Sequence, residues 1–428
     1  MASQVQIEFL SRPRIRETPP LLRSFAWTLG GNVVYAACQW GMLSALAKLG
    51  SAALVGRLAL GLSITAPVFM FTNLQLRGVQ ATDARSEFAF SDYFTLRFVA
   101  SLAGLFVVLL VVCVGRYDWA TGAVILLTGL SKMVESLSDV IAGLLQKSER
   151  LDRVAISLMI RGSISIAGFA IAFKLTRSLV VAVAILVAIW LSVFLSYDLR
   201  QARSLMDSED RFFRFRLSQL KTLIVVSAPL GIVMTLVSLN VNIPRYLLEH
   251  ALGPADLGIF ASLAYSLVAV NLVVNALGQA TSSRLAHMYA AKETKRFRAA
   301  LARLIAVGAI LTIVSVPVAA AVGRPLLTIL YRPEYGRHVQ LFVIMVTTAG
   351  VCSIGSFLGY GMTAARKFPM QVPVTAVSAL TTVLFCVILI SRWGSMGAAY
   401  ALLIGSFVQV IGSALVLHGA VVRLPRLG

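Results

Sequence analysis

Long uncharged apolar runs alternate with short polar linkers along the whole chain. Twelve runs can be drawn, at about 24–47, 51–75, 95–115, 119–143, 154–173, 178–197, 220–247, 256–280, 301–322, 338–362, 369–391 and 394–420. Crossing the hydrocarbon of a bilayer takes roughly 20 apolar residues. Thr222–Pro244, Leu257–Ser283, Leu304–Gly323 and Val339–Ala365 each reach that length without a charge. In lipid a segment must satisfy its own backbone, so such runs are helices. The pattern predicts an all-α polytopic membrane protein with about 12 transmembrane helices.

Charge adds an orientation. Of the 38 Lys and Arg, 26 fall in the two tails and in or at the edges of every second linker, nine in or at the edges of the other linkers, and three (Arg57, Lys132, Arg161) deep inside runs. The positive-inside rule then makes both termini cytoplasmic and the site a cytoplasmic (inner) membrane, spanned many times. A composition 58% hydrophobic and 13% charged excludes an ordinary soluble domain. The net charge of +20 would suit nucleic acid, but it sits in juxtamembrane linkers and fits membrane lipids instead, with no nucleic acid expected. Cys38, Cys113, Cys352 and Cys386 are far apart with no CxxC, so neither a disulfide nor a metal site is expected. Residues 1–23 carry four arginines and Pro19-Pro20 with no h-region, and read as a cytoplasmic tail, not a cleavable signal.

The longest internal linker, 198–219, follows the sixth run and divides the chain six plus six: a bundle over 24–197, a second over 220–420, and a C-terminal cytoplasmic tail at 421–428. The halves resemble each other. LAKLGSAAL (46–54) parallels LEHALGPADL (248–257) at an offset of 203, Arg97 parallels Arg303 at 206, and Gly115-Arg116 parallels Gly323-Arg324 at 208. A slowly rising offset is what loop insertions in a duplicated unit give. Six being even, the repeats are parallel, and a binding site is expected at their interface, around a central cavity.

Polar residues recur at helical spacing inside several runs: Thr28, Asn32, Tyr35 and Gln39 in the first, Ser238, Asn242, Arg245 and Glu249 in the seventh, Asn271, Asn275 and Gln279 in the eighth. Each set lies on one face, either as helix–helix glue or as the lining of a shared cavity. The fourth run is sharper, with Thr128, Lys132, Glu135, Asp139 and Gln146 on one face. A charge at a helix centre costs roughly 2.5–3.5 kcal/mol on insertion scales, so these residues must meet partners or water. Asp139 and Glu135 lie ~10 and ~16 Å from the cytoplasmic end, and Arg161 ~12 Å deep, which predicts an ion pair between Arg161 and one of those acids. Arg57 lies ~10 Å in from the external end with no acid of the first three runs at its depth, and reads either as a free cation facing a cavity or as a snorkelling one.

GxxxxGK[ST], HExxH and GxSxG are all missing, the external linkers are short, and no cofactor or metal is expected. An enzyme is not indicated.

LQLRGVQATDARSEFAFSDYFTLR (74–97) after ACQWGMLSALAKLG (37–50), and NIPRYLLEHALGPADLGIFASLAY (242–265) before LGQATSSRLAHMYA (277–290), resemble the polysaccharide-transporter branch of the multidrug/oligosaccharidyl-lipid/polysaccharide exporter superfamily. The resemblance implies two six-helix bundles around a central cavity, and alternating access. It further implies an O-antigen or capsule repeat-unit flippase, of the kind that serves lipopolysaccharide and other surface polymers. Its cargo would be a polyprenyl-pyrophosphate-linked oligosaccharide, and a polysaccharide polymerase and glycosyltransferases would be its partners. Cavity cations of such flippases are implied to hold pyrophosphate or acidic sugars, which makes Arg57, Lys132, Arg161 and Arg245 candidates, beside Asn32, Gln39, Asn242, Asn271 and Asn275. Without an ATP motif, Glu135 or Asp139 is the expected ion-coupling carboxylate. A multidrug/cation antiporter of the same superfamily and a non-transporting subunit of a polysaccharide machine are the alternatives.

Overall fold

The computed structural model describes residues 21–83, 87–206, 211–365 and 367–422. The expected tails, apart from their innermost residues, lie outside these, as do Asp207, Glu209 and Asp210 of the central linker and the side chains of Asn275 and Gln279. The described residues form helices joined by short turns, with no strand among them. In the first half, α1 (Leu21–Leu49) and α2 (Ala52–Asn73) are followed, past a left-handed pair at Leu74 and Gln75, by the short α3 (Leu76–Thr82). Next come α4 (Phe90–Val114), α5 (Trp119–Lys147), α6 (Leu151–Thr176) and α7 (Leu179–Val193), then a π-helical turn (Phe194–Asp198) and α8 (Leu199–Arg203). The second half holds α9 (Leu217–Leu252), α10 (Pro254–Tyr265), α11 (Val268–Ala290), α12 (Thr294–Leu330), α13 (Val339–Ala364) and α14 (Phe368–Val422). Gly394 (φ 56°, ψ −134°) divides α14 into the eleventh and twelfth predicted runs. All twelve runs are helical.

Local chemistry sets the ends. Ser51, Asp118 and Ser178 accept backbone N–H groups at the starts of α2, α5 and α7. Gly253 (φ 85°) closes α9, and Pro254 opens α10 one residue later. Several boundaries differ from the hydropathy reading. Helix α4 begins at Phe90, five residues early. The eighth run breaks at Ser266–Leu267, and α12 continues through Pro325 to Leu330, absorbing half of the expected 323–338 linker.

Among the described residues, seven helical segments are long and apolar enough to cross a membrane, and one of them, Pro369–Ala420, holds two runs. Helices that fail the test, α5 and α9 among them, carry the polar faces noted above. The mid-sections of the passing helices expose large apolar side chains: Phe106 on α4 is 59% exposed and Ile313 on α12 is 70% exposed. Patches of that kind need lipid. The chain is a polytopic all-α membrane protein.

Within the first half α5 is central, packing on α2, α4 and α7, while α1 lies along α6. That last seam is narrow, because a Cβ on Gly31 would crowd the Ala155 backbone. In the second half α13 packs on α11, α12 and α14. The halves meet where α2 packs on α9 and α10. A Cβ on Gly56 would overlap the Pro254 carbonyl, and one on Gly258 the Ala52 carbonyl, so glycine permits this contact. The Tyr246 hydroxyl donates to the Ser63 carbonyl along the same seam.

A further tie joins the halves, and a second holds the linker between them. At the end of the bundle away from the termini, Trp40 Nε1 donates to the Tyr331 hydroxyl (3.0 Å), Ser44 Oγ to the Leu330 carbonyl (2.5 Å) and Arg332 to the Lys48 carbonyl (3.1 Å). Tyr331 in turn donates to the Ser262 carbonyl at 2.8 Å. At the opposite end the central linker docks on α4: the Arg214 amide donates to Thr95 Oγ1 (2.9 Å), while Phe212 and Phe213 pack edge-on against Phe90, Phe94 and Phe98.

Candidate functional site

The polar face of α5 carries a charge network that is buried at Arg97, Arg161 and Asp198 and partly exposed at Arg77, Lys132, Glu135 and Asp139. Lys132 Nζ lies 2.6 Å from Glu135 Oε2, and the Tyr35 hydroxyl of α1 donates to Glu135 Oε1 at 3.3 Å. One turn on, Asp139 is shared by two arginines, Arg77 of α3 at 3.3 Å and Arg97 of α4 at 3.1 Å. Arg77 Nε also donates to Gln146 Oε1 (3.1 Å). Beside them Arg161 of α6 pairs with Asp198 of the π-helical turn at 2.8 Å, and Ser157 Oγ donates to the same carboxylate at 2.6 Å. The Arg161 guanidinium stacks over the Trp190 ring at 5.4 Å, and Trp190 Nε1 donates to Ser165 Oγ (2.9 Å).

Three cavities meet on this network. One, of about 200 Å³, is lined by Asn32, Tyr35, Arg77, Ser138, Arg161 and Asp198 among others. A second, of about 180 Å³, includes Gln39, Thr128, Lys132, Trp190 and Tyr265, and a third, of about 290 Å³, includes Asn73, Gln75, Lys132 and Asp139. Glu135 lines all three. The network holds four cations (Arg77, Arg97, Lys132, Arg161) and three carboxylates (Glu135, Asp139, Asp198), so its balance is positive. Arg97 is fully buried, and its Nε and Nη1 have no partner among the described residues. A surplus of buried cation is costly without an anion to meet it.

The structure brings Asn32, Gln39, Lys132, Glu135, Asp139 and Arg161 together and leaves Arg57, Asn242 and Asn271 apart. Arg161 pairs with Asp198 and not with Glu135 or Asp139: a π-helical turn extends α7 and carries Asp198 back against α6, so the nearer acid takes the guanidinium. Arg57 is not without an acid either. It lies 3.8 Å from Asp118, half-exposed, and lines none of the three cavities, because the N-cap of α5 supplies an acid at its depth. The Asp118 carboxyl is held below its ordinary value, chiefly by the Thr121 hydroxyl and then by the Thr121 amide and Arg57, against a burial effect in the other direction.

Arg245 donates to Asn242 Oδ1 (3.2 Å) and stacks on Tyr265 at 5.9 Å, so it approaches the Lys132 cavity from the second half through that ring. Asn242 Nδ2 donates to the Ser238 carbonyl one turn back (2.8 Å), a bond within its own helix. Asn271 is exposed on α11 and lines none of the three cavities. The Asn275 side chain lies outside the described residues.

Sequence reasoning missed Arg77, Arg97, Asp198 and Tyr265. Arg97 and Asp198 stand at run boundaries, where hydropathy assigns them to the linkers. Their signal was indirect: three charges on α5 that could not all pair within their own helix.

No protein-family model matches the chain. It is 28% identical over 392 residues to "Capsular polysaccharide biosynthesis protein CapF" of Staphylococcus aureus, covering 91% of this chain and 98% of that one. In fold it is similar to the lipid II flippase MurJ in an inward closed conformation (TM-score 0.74, 11% identity, 94% of this chain and 90% of that chain). It is similar also to a multidrug resistance MATE family transporter of the MOP superfamily in an inward-facing conformation (TM-score 0.68, 14% identity, 94% and 95% covered). The chain resembles the polysaccharide-transporter branch of the exporter superfamily in sequence and has that superfamily's transporter fold.

Proposed function

We propose that the chain is a secondary-type transporter that flips a polyprenyl-pyrophosphate-linked oligosaccharide from the cytoplasmic to the outer leaflet for surface polysaccharide biosynthesis, by alternating access. It acts in the cytoplasmic (inner) membrane with both termini cytoplasmic. The repeats 24–197 and 220–420 are its moving bodies, and residues 198–219 are the linker between them. The chain makes and breaks no bond. Glycosyltransferases build the cargo, and a polymerase consumes it.

The observation that carries the reading is the positive balance of the partly buried network, four cations against three carboxylates around three cavities that share Glu135. An anionic headgroup offsets that surplus, while an organic cation adds to it. The CapF likeness supports a polysaccharide role, and the fold shared with MurJ supports a lipid-linked cargo. Lys132 and Arg161 are the headgroup contacts, with Asn32 and Gln39 beside them and Arg245 approaching from the other half. Glu135, at the junction of the cavities, is the carboxylate assigned to ion coupling, and Asp139 supports it by fixing Arg77 and Arg97.

The test is a cell lacking the protein. Lipid-linked oligosaccharide should accumulate and surface polymer disappear, with rescue by wild type but not by Lys132→Met at equal expression. Normal surface polymer without the intermediate would contradict the reading. Resistance to cationic dyes conferred on a sensitive host would favour the multidrug antiporter instead.

A further inference from the structure

Every cation of the network is already matched by a carboxylate of the same network: Lys132 by Glu135, Arg77 and Arg97 by Asp139, Arg161 by Asp198. An arriving anion therefore meets cations that each already touch an acid. It competes with an acid the protein itself supplies. The competition is sharpest at Arg161, where the two side chains are 3% and 4% exposed. Asp198 is held there by Ser157 as well, and by a π-helical turn, the kind of local widening that aims a side chain at a cost in regular hydrogen bonding. Yet the grip is incomplete. Asp198 takes Nη2 alone, and Arg161 Nε has no partner among the described residues. The fork that could hold an anion with two parallel hydrogen bonds is half used.

We propose that Asp198 is a specificity-determining residue: a tethered competitor for Arg161 that sets the charge an anion must carry to occupy the cavity. A phosphodiester, as in bulk phospholipid, can fill the fork with its two non-bridging oxygens, but its single negative charge only replaces that of the carboxylate it leaves unpaired, and it has no second phosphoryl group. Its net gain is small. A pyrophosphate brings more charge and two phosphoryl groups. One fills the whole Arg161 fork, and the other reaches donors on the same cavity wall, including Arg77 and the unpartnered Ser138 hydroxyl. Displaced Asp198 keeps Ser157 and faces Arg77 across a cavity also lined by Tyr35, Glu135 and Asp139. The device admits a pyrophosphate-linked lipid and refuses the far more abundant phospholipids around it.

The inference rests on the reading that the cargo headgroup is a lipid-linked anion, and its test separates the two. Purified full-length protein is offered equal amounts of undecaprenyl pyrophosphate and phosphatidylglycerol in micelles, and retained lipid is counted by native mass spectrometry. Wild type is expected to retain the pyrophosphate lipid preferentially. Asp198→Asn should raise phosphatidylglycerol occupancy and cut the preference about tenfold, the size of one charge-assisted hydrogen bond, whereas Asp198→Glu should keep it. Should Asp198→Asn alone fail to fold, Arg161→Gln combined with Asp198→Asn leaves no unpaired ion and is expected to lose the preference as well. Wild type with no preference for the pyrophosphate lipid would overturn the anionic-cargo reading and this inference with it. A wild-type preference unchanged in folded Asp198→Asn would overturn the role of Asp198 alone.

Discussion

Replacing Asp139 with Asn removes the one carboxylate shared by Arg77 and Arg97, at 3.3 and 3.1 Å. Arg97 is 0% exposed and has no other acid within ion-pair distance among the described residues, so it becomes an uncompensated buried cation. Breaking a buried pair from one side costs about 3–5 kcal/mol. Asp139 is itself 32% exposed and Asn keeps a carbonyl oxygen for one guanidinium hydrogen, which puts the expected cost near the lower end, about 3 kcal/mol. Arg97→Gln alone leaves Asp139 its bond to Arg77 and should cost about 1–2 kcal/mol. The double variant leaves only the partly exposed Arg77 without its acid, so the two effects should be non-additive by about 1–3 kcal/mol. Reversible denaturation of the four proteins in mixed micelles, followed by tryptophan fluorescence, measures the cycle. Additivity to within about 0.5 kcal/mol would refute the claim that the pair, and not either side chain alone, carries the stability.

Tyr331→Phe strips the hydroxyl that accepts from Trp40 Nε1 and donates to the Ser262 carbonyl, and should weaken the closed distal end by about 1–2 kcal/mol. A cysteine placed at Gln39, with the native cysteines replaced, should then label from that side about tenfold faster, and unchanged labelling would count against the tie. Arg57→Ala should change binding of the pyrophosphate lipid by no more than about twofold, because Arg57 faces the half-exposed Asp118 at 3.8 Å and lines none of the cavities; a large loss would return it to the binding site. Burial pushes the Asp83 carboxyl up, but the Glu87 and Phe88 amides, Lys147 and Tyr93 outweigh it and hold it below its ordinary value. Its contribution is therefore present at neutral pH and lost as pH falls below about 3.9 and through the lowered native value. Hydrogen exchange of the Glu87 and Phe88 amides should rise only in that acid window, and a rise already at about pH 6 would contradict the assignment.

The helices were legible because lipid imposes one rule on all twelve runs: length without charge. Charge on α5 was legible for the same reason, since Lys132, Glu135 and Asp139 interrupt a run that should hold none. Their partners were not. Hydropathy ends a run where polarity begins, and so it placed Arg97 and Asp198 in linkers, although α4 starts five residues sooner and a π-helical turn prolongs α7. Depth counted along one helix matched Arg161 to Glu135 and Asp139, but depth says nothing of which face a neighbour presents. The break at Ser266–Leu267 was hidden as well, since no proline or glycine marks it, and it is where Tyr265 turns toward Lys132.

The central claim is that this cavity carries a lipid-linked anion across the membrane. The direct measurement uses purified protein in liposomes whose inner leaflet holds a fluorescent polyprenyl-pyrophosphate oligosaccharide, with an external quencher reporting arrival at the outer leaflet. Quenching faster than in protein-free vesicles, and lost in Lys132→Met reconstituted to the same density, is the predicted result. Quenching at the protein-free rate with folded wild type, or undiminished in Lys132→Met, would contradict the account.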